Sequence, residues 1–304
     1  MDYETVAQLF LQPAPGDAAQ PGPVRAGSPA RRLRDAIEPI ATHGWWSRLT
    51  NERLAELGLN FWTGYVYGRA APLCDVSPAV VVAAFAVFEP GIITEAYEEA
   101  RKAADRESVL RIREQATTES LEQILQGVDA GELGTAADLL QRAVETAPGS
   151  GRPLFSGLRS LPWPANTVGR LWRSCEALRE HRGDAHVAAR ISAGLDPIEM
   201  NVLTELWLGG TLGLYTVTRG WGFDAVEAAA KRLEQRGLLI DGALSGAGVA
   251  LREEIERRTD EAEQSVVDSL GQSIDTLIER VNGYSKAIID AGSFPPDPFK
   301  RAAG

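Results

Sequence analysis

The stretch Arg219–Asp260, RGWGFDAVEAAAKRLEQRGLLIDGALSGAGVALREEIERRTD, decides the fold of this 304-residue chain. Asp224, with Glu227 three residues later, has the capping-box pattern that starts a helix. Val226, Ala229, Ala230, Leu233 and Leu238 recur at helical spacing and give that helix one apolar face. Gly237 ends it, because glycine enters a left-handed cap without a Cβ penalty. Leu238-Leu239-Ile240 then reads as a short buried strand, and Asp241-Gly242 is a strong hairpin signal. Ala243-Leu244 returns, Ser245-Gly246-Ala247-Gly248 turns again, and a charged helix opens at Val249. Helix, hairpin and helix in that order make a winged helix-turn-helix module.

Outward from this module the chain is helical in pattern. Residues 1–30 form an N-terminal arm whose QPAPGDAAQPGPVRAGSPA composition predicts flexibility. Residues 31–147 make a first domain, and 148–166 a Pro/Gly linker. Residues 167–292 make the second domain, which holds the wing. A tail over 293–304 cannot be helical through Pro295-Pro296 and Pro298.

A faint internal repeat doubles the opening motif. Ser77-Pro78 is a helix start, with a hydroxyl N-cap and proline in the first turn, and AVVVAAFAVF after it parallels DAVEAAAKRL. Helical segments at Asn60–Leu73 and Glu199–Trp207 precede the two copies. In the first copy no wing is legible, since Glu89-Pro90-Gly91 leaves little room for a hairpin, and the apolar helix is expected to be buried. The fold class is therefore mainly α, with tandem modules and a small β-wing in the second.

Composition narrows the function classes. Hydrophobic residues at 44% and charged ones at 24% suit an ordinary globular protein. No apolar run is long enough to cross a bilayer, and the first ten residues lack a basic n-region, so a cytoplasmic protein without membrane contact is expected. Cys74 and Cys175 stand in no motif and suit buried thiols in a reducing compartment. The net charge of −11 opposes a phosphate backbone.

LGLNFWTGYVYGRAAPL, GRPLFSGLRSLPWP, LREHRGDAHVAARISAGLD and TRGW together resemble an actinobacterial family of tandem winged-helix proteins, SalK-like or EvbL-like and similar in fold to the MarR regulators. The resemblance spans roughly residues 35–298. It implies an intrachain pseudo-dimer, as a monomer or a homodimer of such chains, and a setting in specialised metabolism. It brings no catalytic assignment. Members often carry a histidine in the segment that here reads EPIATHGWWSRL, which makes His43 a candidate.

Two functions compete, beside a third possibility, a purely structural interaction module. A MarR-type DNA reader needs cations on the recognition helix and wing to meet phosphates and base edges. Here Arg219, Lys231, Arg232 and Arg236 are offset by Asp224, Glu227, Glu234 and Asp241, and the wing tip has no basic residue. DNA is thus the runner-up partner, and a small organic ligand or substrate is preferred. Trp62, Tyr65, Val66 and Arg69 share one helix face suited to a pocket. The same spacing equally suits an aromatic core helix with Arg69 in a structural ion pair. Gly64 and Gly68 allow close approach of another helix or a ligand.

Arg179, Arg182, His186 and Arg190 make a cationic stripe if one helix runs through Gly183-Asp184. His186 could then act as a general base beside Arg182. The other reading is a salt-bridged junction with Glu176 and Glu180, with Asp184 capping a new helix. His181 is expected to face solvent. Arg152 and Trp221 complete the ligand-binding candidates. No metal-ligand spacing, phosphate loop or nucleophile motif is present, so no cofactor or metal is expected. Whether any reaction is catalysed stays open at this level.

Overall fold

The computed structural model describes residues 2–12 and 27–296. The helices of the first half are α1 (Tyr3–Phe10), α2 (Pro29–Ala41), α3 (His43–Trp46), α4 (Arg48–Ala55), α5 (Phe61–Ala70), α6 (Pro78–Phe85), α7 (Pro90–Ala103), α8 (Arg106–Ile124) and α9 (Ala130–Thr146). Next come α10 (Pro153–Arg159), the long α11 (Thr167–Ser192), α12 (Pro197–Trp207) and α13 (Phe223–Gln235). Strands β1 (Leu239–Ile240) and β2 (Ala243–Leu244) follow, then α14 (Gly246–Glu261), α15 (Gln264–Leu270) and α16 (Ile274–Asp290).

The wing forms from its turn chemistry. Asp241 and Gly242 take φ of 49° and 76°, the paired left-handed conformations of a two-residue type I′ turn. That turn sets the antiparallel register Leu239 to Leu244 and Ile240 to Ala243. Leu239 is buried, whereas Ile240 is 63% exposed, so the strand is apolar on both faces but covered on one. Val226, Ala229, Ala230 and Leu233 of α13 are buried against Leu203 and Ile255, as their spacing predicts.

Two local readings need correction. Helix α13 begins before Asp224: Gly222 is the cap residue, without a side-chain bond, and Asp224 is an exposed first-turn acid that suits the helix dipole. Helix α14 begins at Gly246, not Val249. Ser245 caps it by accepting the Gly248 amide at 3.0 Å, and the same hydroxyl donates to the Gly237 carbonyl at 2.7 Å. The small residues that looked like a turn are thus the first turn of a helix pressed onto the Leu238 backbone.

Among the described residues, three cores organise the structure. One draws on α4–α8 and includes Val66, Phe85, Ile93 and Tyr97. A second, around Leu203, Leu233 and Ile255, joins α12, α13, the wing and α14. The largest unites Ile37 and Ile40 of α2, Leu140 of α9, Trp172 of α11, and Leu277 and Val281 of α16. Helix α11 runs through the middle, packed on α2, α9, α10 and α14.

The segments read as irregular contain order. Within 1–30, α1 is capped by Asp2 and seated by Tyr3, whose hydroxyl donates to the Trp46 carbonyl at 2.9 Å. The composition that predicts flexibility lies mostly in residues 13–26, outside the described residues, as does the tail from 297. Within 148–166, Pro153 opens α10, whose Leu154, Phe155 and Leu158 are buried. In the first half no strand lies between α6 and α7 among the described residues, as expected. Ser77 holds the N-cap position of α6 without a hydroxyl bond. Helix α6 is not buried as its composition predicts: Ala79, Val80 and Ala83 face out, because the neighbouring helices cover only the side of Val81, Ala84 and Phe85. Among the described residues no single helix is long and apolar enough to cross a membrane.

Candidate functional site

Helix α11 passes unbroken through Gly183-Asp184, so the cationic stripe exists, but each of its arginines is engaged by the protein, Arg179 and Arg182 by carboxylates and Arg190 by a backbone carbonyl. Arg179 donates to Glu38 of α2 at 3.0 Å and to Glu180 at 3.2 Å, and lies over the Trp45 ring. Arg182 donates to Glu256 at 2.8 Å and Asp260 at 2.9 Å, both on α14. Arg190 binds the Leu195 carbonyl. Glu176 and Glu180 are not the partners of Arg182 and Arg190. Glu176 pairs with Arg113, and Glu180 takes a bidentate pair from Arg69, 2.8 Å on each arm. The structural ion pair is therefore what Arg69 makes.

Glu256 is a hub, bonded to Arg31 at 3.0 Å, Arg182 at 2.8 Å and Arg252 at 2.5 Å. Burial alone would raise its carboxyl pKa, but these cations hold it well below the usual range.

A cavity of about 110 Å³ opens beside this network, between the first-half core and the second. Tyr65, Arg69, Phe85 and Phe88 line one wall, Arg182, Asp184 and His186 the floor, and Met200, Asn201, Tyr215 and Arg219 the far side. The rings of Tyr65, Phe85 and Phe88 lie 5.9–6.4 Å apart, an aromatic surface. The two sides are tied together: Asn201 Nδ2 and Trp221 Nε1 both donate to the Val87 carbonyl at 3.0 Å, and the Glu89 amide to the Arg219 carbonyl at 2.9 Å. Gly220, at φ 85°, lies where a Cβ would strike Ile92. Glu205 shapes the loop before it by accepting the amides of Gly213, Tyr215 and Thr216 at 2.7–3.0 Å.

Of the ligand candidates, Tyr65, Arg69, Arg182 and His186 meet at this cavity, while Trp62, Arg152 and Trp221 do not line it. Trp62 stacks on Tyr65 behind the wall, and Trp221 joins the two sides. Arg152 bonds Glu263, the Ala262 carbonyl and the His181 carbonyl. Gly64 and Gly68 admit Leu54 and Arg113 rather than a ligand.

The histidines divide. His181 is 0% exposed, correcting the solvent-facing expectation: Nδ1 meets Glu263 at 2.8 Å and Nε2 the Pro148 carbonyl at 3.2 Å. His43 lies in a separate buried site, Nε2 at 2.9 Å from Ser120 Oγ, and burial pushes its pKa down to about 3. His186 is partly open and contacts Thr259 Oγ1 at 3.2 Å. Burial and then the Arg252 charge push it down to about 3, so it is neutral at pH 7.

Sequence reasoning missed Asp184 as more than a cap. Its carboxylate accepts the Phe155 amide at 3.1 Å, and burial pushes its pKa up to about 7, with Glu180 adding to the shift. A carboxyl poised near neutrality can take or give a proton in this cavity. Arg34, Phe85, Phe88 and Tyr215 were missed too, since no local pattern links residues so far apart in sequence.

The DNA candidates scatter. Arg232 bonds Asp196 at 2.5 Å and Glu199 at 3.1 Å, and Arg236 bonds Glu199 at 3.1 Å. Arg219 turns to the cavity and donates to the Tyr215 hydroxyl at 2.7 Å. Lys231 is exposed on α13.

A wing packed on a recognition-type helix, with its supporting helix α12, defines a helix-turn-helix protein. Residues 30–295 match the model of a helix-turn-helix family, and the chain belongs to that family. No curated protein and no solved structure matches it.

Proposed function

We propose that this chain is a small-molecule-binding protein on a MarR-like scaffold that has given up DNA binding, a binding protein or cofactor-independent enzyme of specialised metabolism. Residues 31–147 and 167–292 are the two modules of a pseudo-dimer. The core of α2, α9, α11 and α16 stands where a dimer interface would, flanked by two helix-turn-helix cores.

One observation carries this reading: the two lobes close on each other over an aromatic- and arginine-lined cavity. Dimeric readers instead hold their recognition helices about 34 Å apart, one turn of DNA. Here the backbone just after α6 is bonded to Trp221, two residues before α13. Engagement of Arg232 and Arg236 by Asp196 and Glu199 also supports it. Any proton transfer falls to Asp184, with neutral His186 beside it.

Native mass spectrometry of the purified chain tests the reading. A small organic molecule should leave on activation, and Val187→Trp, which fills the cavity wall, should abolish it. The second reading is a ligand-responsive transcriptional regulator, favoured by the exposure of Lys231 and the wing tip. A gel shift with the chain's upstream DNA that survives about 0.15 M salt and is lost in Lys231→Glu would establish that reading instead.

A further inference from the structure

We propose that the start of α13 and the turn before it form a docking surface for a partner protein, one that presents apolar side chains between lysines or arginines. Seven large apolar side chains stand exposed among the described residues. Leu9, Val80, Ile191 and Ile240 lie apart, on α1, α6, α11 and β1. Leu214, Val217 and Phe223, 55%, 45% and 53% exposed, belong together: a Cβ placed on Gly213 would meet both Phe223, at 3.0 Å, and Val217, at 3.8 Å. Leu214 is the next residue in the chain. Scattered exposed apolar residues are ordinary, whereas contiguous ones with a polar rim mark an interface.

The backbone holds this patch outward. Glu205, 2% exposed, accepts the amides of Gly213, Tyr215 and Thr216, and Gly213 takes a φ of 87° that a side chain would strain. Tyr215 and Arg219 turn to the cavity and Thr216 is fully buried, which leaves Leu214 and Val217 on the outer side. Charge then selects the occupant. Glu227 follows Phe223 by four residues and so stands beside it on α13, and Asp224 adjoins it in sequence. Both carboxylates are exposed, and neither has a cationic partner among the described residues. Lys231, two turns past Asp224, is offset by Glu234. A second copy docked face to face would bring Asp224 and Glu227 against their own counterparts, and a phosphate backbone or anionic membrane meets the same repulsion. A partner with an apolar centre and a cationic rim complements both features.

Fluorescence anisotropy of a labelled helical peptide of about 16 residues, with leucines at i, i+3, i+4 and i+7 and lysines on both flanks, tests the surface on the full chain. The peptide should bind at least about tenfold more tightly than versions with glutamate for lysine or serine for leucine. Phe223→Ser should weaken binding at least about tenfold. Asp224→Asn combined with Glu227→Gln should weaken it at least about threefold and flatten its salt dependence. Ile191→Ser, at a comparably exposed apolar position elsewhere, should leave binding unchanged. Circular dichroism confirms that the variants fold. No binding at about 1 mM, or a loss in Ile191→Ser as large as in Phe223→Ser, overturns the proposal. A dimer in sedimentation that Phe223→Ser dissociates also overturns it, since the occupant is then a second copy. So does flotation with phosphatidylcholine–phosphatidylglycerol vesicles that is lost in Phe223→Ser, which assigns the patch to a lipid surface.

Discussion

Helices α11 and α6 invert the usual relation between composition and burial. Helix α11 carries Arg173, Glu176, Glu180, His181, Arg182, Asp184 and Arg190, and every one of them is buried. Helix α6 reads PAVVVAAF without a charge, yet Val80 is 44% exposed. The difference is positional. Helix α11 is surrounded by α2, α9, α10 and α14, and its buried polar groups are met by groups of other elements, among them Arg69, Arg113, Glu256, Asp260 and Glu263. Helix α6 lies at the edge of its lobe and is covered on one side.

The sharpest way to break this contrast is Glu256→Gln. Arg31, Arg182 and Arg252 would then face one another around a neutral amide, and stability should fall by about 3–5 kcal/mol in chemical denaturation. A loss below about 1 kcal/mol would mean that water already solvates these cations.

Asp184 offers a pH-resolved test. Its folded pKa, about 7, lies above the ordinary 3.8, so the folded state holds the proton more tightly than the unfolded chain. The associated stability is complete below pH 3.8 and is lost as pH rises through 7. Three pKa units correspond to a loss on the order of 4 kcal/mol. Asp184→Asn keeps an acceptor for the Phe155 amide and stays neutral, so the difference between variant and wild type should grow in favour of the variant from pH 4 to pH 8. A constant difference would refute the raised pKa. His43 and His186 act in the opposite sense: their stability is complete above 6.5 and declines as pH falls toward 3.

Trp221→Phe removes one hydrogen bond between the lobes, which should cost about 1 kcal/mol and raise the rate of limited proteolysis near Arg219. Val80→Lys should change stability by less than about 0.5 kcal/mol, the mark of a surface position despite its apolar sequence. A large loss there would put α6 inside an interface between chains.

Much of the second lobe was legible from local chemistry. The Asp241-Gly242 turn, the buried face of α13 and the Gly237 stop follow from φ preferences and the 3.6-residue period. Pro153 was legible only as a loop residue, because the same proline that breaks a helix also starts one. Half of the site was legible: Tyr65 and Arg69 share a helical face, and Arg182 and His186 another. That the two faces meet was not, nor that Tyr215 and Arg219 would join them across the lobe contact.

The sequence by itself determined the helix periods, the wing, the glycine stops and a −11 charge, since each depends on residues within a turn or two or on a simple count. Tertiary structure alone decided which charges are buried. Arg31 reaches Glu256 across 225 positions and Arg69 reaches Glu180 across 111. Pairings over such distances exist only once α2, α5, α11 and α14 are packed, because burial and counter-charge are properties of the assembled surroundings rather than of the residue.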